Sequence, residues 1–160
     1  MDQEILNTLL KDTFTQTSLK HRLRILKTTL LKKIFGSEAP NEQLSAEDLN
    51  WLNSLPASLY EKFNKDNVYQ TFEQIETEVN SMPLLLVYLP FEANDQAISQ
   101  VGGFIRKNFT NLSLFDIKFN PELIAGCALS WKGIYHDYSL KAKIEEKKGQ
   151  ILENFKKFLR

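Results

Sequence analysis

The chain of 160 residues has one cysteine and two histidines, and that scarcity excludes a good deal. Cys127 alone can form no internal disulfide and no cysteine-based zinc site. Two histidines leave little from which to build a metal cage. The longest purely apolar run is LLLVYL, Leu84 to Leu89, far short of the ~20 residues that cross a bilayer as a helix. Charge of one sign is also missing. The 20 basic and 20 acidic residues cancel, so no global field draws the chain onto nucleic acid or anionic lipid. A glycine-rich phosphate loop is absent: Gly102-Gly103 reads as mid-helix, and GSEAP after Phe35 lacks the lysine. The opening MDQEILNTLLKDTF carries acids where a secretory signal would carry lysine or arginine. These absences predict a soluble, cytoplasmic protein without metal or cofactor.

Hydrophobic residues make up 42% of the chain, enough for a packed core, and their spacing changes once. In the front half it is helical. Ile5, Leu6, Leu9, Leu10 and Phe14 recur at helical intervals, and TSLKHRLRILKTTLLKKIFG carries the stripe Leu19, Leu23, Leu26, Leu30 and Ile34. Thr17 or Ser18 is the expected cap of that helix and Gly36 its closing residue. SEAPNEQ reads as a loop. Ser45 opens the next helix with Glu47 and Asp48 near the positive end of its dipole, and Pro56 divides that stretch into two short helices or a kink. A further helix covers Val68 to Val79, with Phe72, Ile75 and Val79 on one face.

At Met82-Pro83 the period shifts. LLLVYLP, bounded by prolines, predicts a strand covered on both faces. Asn94 caps a helix through Ile98, Val101, Phe104, Ile105 and Phe109. Phe115, Ile117 and Phe119 alternate with Asp116 and Lys118 as in a half-buried strand. Cys127, Leu129 and Trp131 alternate with Ala128, Ser130 and Lys132, and Lys132-Gly133 turns tightly into Ile134-Tyr135. A last helix runs from Ser139 with Leu140, Ile144, Ile151, Phe155 and Phe158 on one side. The expected fold is α+β: a helical bundle over residues 1–82, then a small β-α-β-β-α unit over 83–160.

Candidate chemistry is thin. Lys20, Arg22, Arg24, Lys27, Lys32 and Lys33 share one helix with no acid among them, a pattern that suits phosphate binding or a solvated or acid-facing surface. A small nucleic-acid-binding adaptor using Lys20–Lys33 is therefore one functional reading. Cys127, His136 and Asp137 suggest a nucleophile, base and orienter, yet Cys127 falls among apolar neighbours, where a thiol behaves as a small hydrophobe. Trp51 and Tyr60 fit core packing better than a binding hot spot. No catalytic, metal or cofactor-binding residue is expected.

The stretch FNPELIAGCALSWKGIYHDYSLK, Phe119 to Lys141, resembles the carboxy-terminal signature of the F-type ATP synthase delta subunit, the oligomycin-sensitivity-conferring protein family. That signature is a strand ending in Pro-x-Leu-Ile-Gly-Gly, a hairpin, then Asp-x-Ser leading into the final helix. Pro121, Leu123, Ile124, Gly126, Asp137 and Ser139 match it, with Gly133 in the hairpin, and the order of elements from Pro83 to Ile151 agrees. Ala125 replaces the first glycine, and the front half is shorter than the family's six-helix bundle and lacks its Tyr-Ala start. The resemblance implies a non-catalytic, bacterial stator subunit, cytoplasmic and peripheral to the inner membrane, serving proton-driven ATP synthesis. It implies that the front half binds the amino-terminal helix of an alpha subunit on the catalytic head, and the back half the b-type peripheral stalk. Leu19, Leu23, Leu26 and Leu30 are the expected contacts for the first partner, and Ile151, Phe155 and Phe158 for the second. Nucleic acid is not an expected partner, nor is direct insertion into the membrane.

Overall fold

The computed structural model describes residues 3–36, 44–108 and 114–158, and the chain divides into two units, Met1–Met82 and Pro83–Arg160. The first is helical: α1 Gln3–Leu10, α2 Gln16–Phe35, α3 Ala46–Ser54, α4 Ala57–Glu61 and α5 Val68–Ser81. The second is the mixed unit: β1 Leu84–Leu89, α6 Asp95–Asn108, β2 Leu114–Phe119, a 3-10 turn Pro121–Leu123, β3 Ala128–Trp131, β4 Ile134–Asp137 and α7 Leu140–Phe158. The architecture is α+β, helices first and the sheet after. The SEAPNEQ loop and Phe109 lie outside the described residues.

In the helical unit the stripes turn inward. Ile5, Leu6 and Leu9 of α1, Leu19, Leu23, Ile25, Leu26 and Leu30 of α2, and Val68, Phe72, Ile75 and Val79 of α5 are all at most 3% exposed. Trp51, Leu52, Leu55, Leu59 and Phe63 close the remaining side, and the Phe63 and Phe72 rings stack at 5.3 Å. Thr15, not Thr17 or Ser18, caps α2. Its hydroxyl oxygen accepts from Ser18 N at 3.1 Å, and its carbonyl accepts from Leu19 N at 3.0 Å, which starts the first turn two residues earlier. Ser45 and Asp48 form a reciprocal capping box at α3. Pro56 separates α3 from α4, and the Tyr60 hydroxyl ties the two by donating to Leu52 O at 2.8 Å.

The sheet order is β2-β1-β3-β4. The β1/β2 pair is parallel with α6 as its crossover, and the other two pairs are antiparallel. Asn94 caps α6 by accepting from Ala97 N at 2.9 Å. Lys132 at φ 50° and Gly133 at φ 80° make the two-residue β3–β4 turn, a conformation whose twist suits a hairpin.

Several expectations about faces change. Only Leu85 and Val87 of β1 are fully buried, while Leu84, Leu86, Tyr88 and Leu89 are half-covered. Among the described residues two α-helices serve this unit, and the second, α7, buries none of its side chains. Phe104 is exposed because it sits about 100° round α6 from buried Ile105. The alternation in β2 fades along the strand, with Leu114 and Phe115 buried and Phe119 exposed. Ala128 is the buried residue of β3, and Cys127 precedes the strand instead of lying within it.

Candidate interaction surfaces

Residues 120–142 form one interlocked corner. Asn120 Oδ1 accepts from Glu122 N at 3.1 Å and starts the 3-10 turn, with Pro121 exposed and Leu123 buried. Gly126 follows at φ 85°, where a Cβ would stand 2.7 Å from Tyr138 O and 3.2 Å from Ser139 Cα. Only glycine permits both that conformation and that approach. Ala125 O accepts from Leu140 N at 2.8 Å, and Cys127 O from Tyr138 N at 2.9 Å. The start of α7 is thus bonded across to the segment that ends at Cys127.

Asp137 and Ser139 complete the corner. Asp137 Oδ1 accepts from Ser139 N at 2.8 Å, and the buried Ser139 hydroxyl oxygen accepts from Ala142 N at 3.2 Å. Ser139 is therefore the cap of α7. Lys141 adds an exposed ion pair to Glu122 at 3.3 Å. Hydrogen bonding from Ser139 holds the Asp137 carboxyl below its ordinary pKa of 3.8. A depressed carboxylate pKa contributes stability above the unfolded value, and that contribution is lost as pH falls through the folded one. The melting-temperature gap between the unaltered protein and Asp137→Asn should therefore be widest near neutrality and close below the ordinary carboxylate range. A gap independent of pH would assign the effect to something other than the carboxylate.

From this corner α7 presents an unburied apolar row. Ile151, Leu152, Phe155 and Phe158 are all exposed, Phe158 at 92%. Ile151, Asn154, Phe155 and Phe158 border an open concavity of about 390 Å³. The expected stalk contacts Ile151, Phe155 and Phe158 thus lie on an accessible surface.

The expected head contacts do not. Leu19, Leu23, Leu26 and Leu30 are the core of the helical unit, so their side chains are already covered. A groove of about 410 Å³ runs between α2 and α5, lined by Lys20, Leu23, Arg24, Lys27, Glu76, Val79 and Asn80. Leu23 and Val79 lie almost wholly covered beneath it, and Lys20, Arg24 and Lys27 form the α2 rim. Sequence reading missed the α5 wall, since Glu76, Val79 and Asn80 stand some fifty residues from the lysines they face.

Much of the basic helix is engaged within the unit. His21 Nε2 lies 3.1 Å from Asp48 Oδ1, and Lys27 Nζ 3.1 Å from Glu76 Oε1. Arg22 donates to Asp12 O at 2.7 Å and to the buried Thr13 hydroxyl at 2.6 Å, and its guanidinium lies 5.1 Å from the centre of the Trp51 ring. Burial pulls the Arg22 pKa down, and Asp12 and Asp48 oppose that shift. Lys33 lies 5.5 Å from the Tyr60 ring centre. Trp51 and Tyr60 are therefore part of the packing of this unit.

Cys127, His136 and Asp137 are not brought together as nucleophile, base and orienter. His136 pairs with Leu129 and Asp137 with Ala128, so the last two side chains leave opposite faces of the sheet. Cys127 precedes β3 and lies on the diagonal from His136, so the three groups do not line up on one face as a triad needs. Among the described residues, no group of three or more His, Cys, Asp or Glu could hold a metal ion, and no helix is long and apolar enough to cross a membrane. No family model and no curated protein sequence matches the chain.

Proposed function

We propose that the protein is a non-catalytic stator subunit of the F-type ATP synthase delta kind, joining the catalytic head to the peripheral stalk. The observation that carries this reading is the glycine-locked corner at Gly126, Tyr138 and Ser139, from which a helix with no buried side chain projects. Helices in proteins draw most of their stability from packing an apolar face, and an apolar row left open on α7 suits burial against a partner. The Pro121–Ser139 residues that resemble the delta signature are those that build the corner. In this reading they aim α7 and shape the surface beside it, and no reaction takes place on them.

The two ends divide the work. The α/β unit grips the b-type stalk through Ile151, Phe155 and Phe158. The helical unit meets the amphipathic amino-terminal helix of an alpha subunit, and the α2–α5 groove replaces the buried leucine stripe as the seat for it. The protein hydrolyses no ATP itself and attaches to the membrane only through the complex.

Truncation after Gly149 tests the stalk end. The α/β unit should stay folded and melt within a few degrees of the intact chain, because residues 150–158 are exposed. Binding to the b-type stalk should weaken tenfold or more, about 1.4 kcal/mol. Outright unfolding would assign the last turns to the core. Unchanged binding would place the grip elsewhere.

A further inference from the structure

Ile124 holds a backbone conformation that its side chain disfavours. At φ 65° and ψ −56° it centres a three-residue turn, closed by Ala125 N donating to Leu123 O at 2.7 Å. Such turns are rare and strained, and a β-branched residue at positive φ is a true outlier. Glycine would remove the strain, yet isoleucine stands there. Burial does not account for it. Ile124 is 61% exposed beside Leu123 at 3%, so Leu123 does the packing and Ile124 is held out to solvent.

Strain persists only where the surroundings over-determine it, and it gathers at binding sites. Here the surroundings are the Pro121–Leu123 turn, the Leu140 N to Ala125 O bond and the Lys141–Glu122 ion pair. These contacts seat the Ile124 turn beside the first turns of α7, where Leu140 and Ile144 are each 43% exposed. A rigidly presented apolar side chain loses little freedom on docking.

We propose that Ile124 is the fixed anchor of a docking surface continued by the apolar row of α7, and that its occupant is an amphipathic helix with acidic flanks. This rests on the stator reading and deepens it by naming the chemistry of the stalk partner. The apolar side chains call for a complementary stripe, as in helix-to-helix recognition. The flanks follow from charge: α7 carries six lysines and three glutamates. Opposite potentials across an interface set orientation and speed encounter, so binding should weaken as salt is raised.

The test uses the full chain and, as probe, the carboxy-terminal segment of the b-type stalk subunit from the same cell. Two variants are compared. Ile124→Gly removes the side chain and the strain, and Ile124→Ala removes the side chain and keeps positive φ. Both should bind the segment at least tenfold more weakly than the unaltered protein, and Ile124→Gly should melt no lower than it. A segment with its acids changed to amides should also bind more weakly. Unaltered affinity in both variants would overturn the anchor and leave the stator reading standing. A melting temperature many degrees lower in Ile124→Gly would make the residue part of the packing and overturn the anchor as well. A neutralised segment that binds as tightly as the original would overturn the acidic flanks. If the unaltered protein binds no stalk segment, the stator reading fails and this inference fails with it.

Discussion

Phe72→Ala should cost the helical unit about 3–5 kcal/mol, the range for emptying an aromatic site in a closed core. Phe72 is fully buried, stacks on Phe63 at 5.3 Å and has the Lys27 ammonium 5.7 Å from its ring centre. A unit of this size has about 4–12 kcal/mol of total stability at typical per-residue values, so the loss consumes much of it. Trp51 lies buried in the same unit, and its fluorescence in a Trp131→Phe background reports unfolding there. The denaturant midpoint should fall sharply with little change in slope. A loss under about 1 kcal/mol would mean that α5 does not close the core as described.

Gly126→Ala should damage the α/β unit by about 2–4 kcal/mol, combining positive-φ strain with a backbone overlap. Its Cβ would meet Tyr138 O at 2.7 Å, and that carbonyl cannot retreat cheaply. Tyr138 N is bonded to Cys127 O and the next residue caps α7. Gly133→Ala is the matched control. Gly133 also has positive φ, at 80°, but open space surrounds its Cβ position, so only the conformational penalty of about 1 kcal/mol applies. Thermal unfolding of the two variants should therefore separate clearly. Equal losses would mean that the close approach at Tyr138 contributes nothing.

What could be read in the sequence was mostly local. Ser45, Asn94, Pro56 and the Lys132-Gly133 turn act through their own backbone neighbourhood, and the structure places each where its chemistry puts it. The stripe on α2 was legible as apolar but not as to what it meets. A helical period marks a face that must be covered, and α5 covers it from fifty residues away. The exposure of α7 was hidden for the same reason: Leu140 and Ile144 read as part of one apolar side, and only tertiary structure shows them half open. Nothing in residue type announces the conformation of Ile124, because isoleucine is among the residues least suited to it.

The central claim is that one chain grips two different partners at once through its two units. Sedimentation and calorimetry on the full chain test it, with the first ~25 residues of the cognate alpha subunit, several helical turns, and the b-type stalk segment added singly and together. The account requires a complex of one copy of each, with each partner binding as tightly in the presence of the other and no ATP turnover by the chain. Competition between the partners for a single surface, or failure of both to bind, would contradict it.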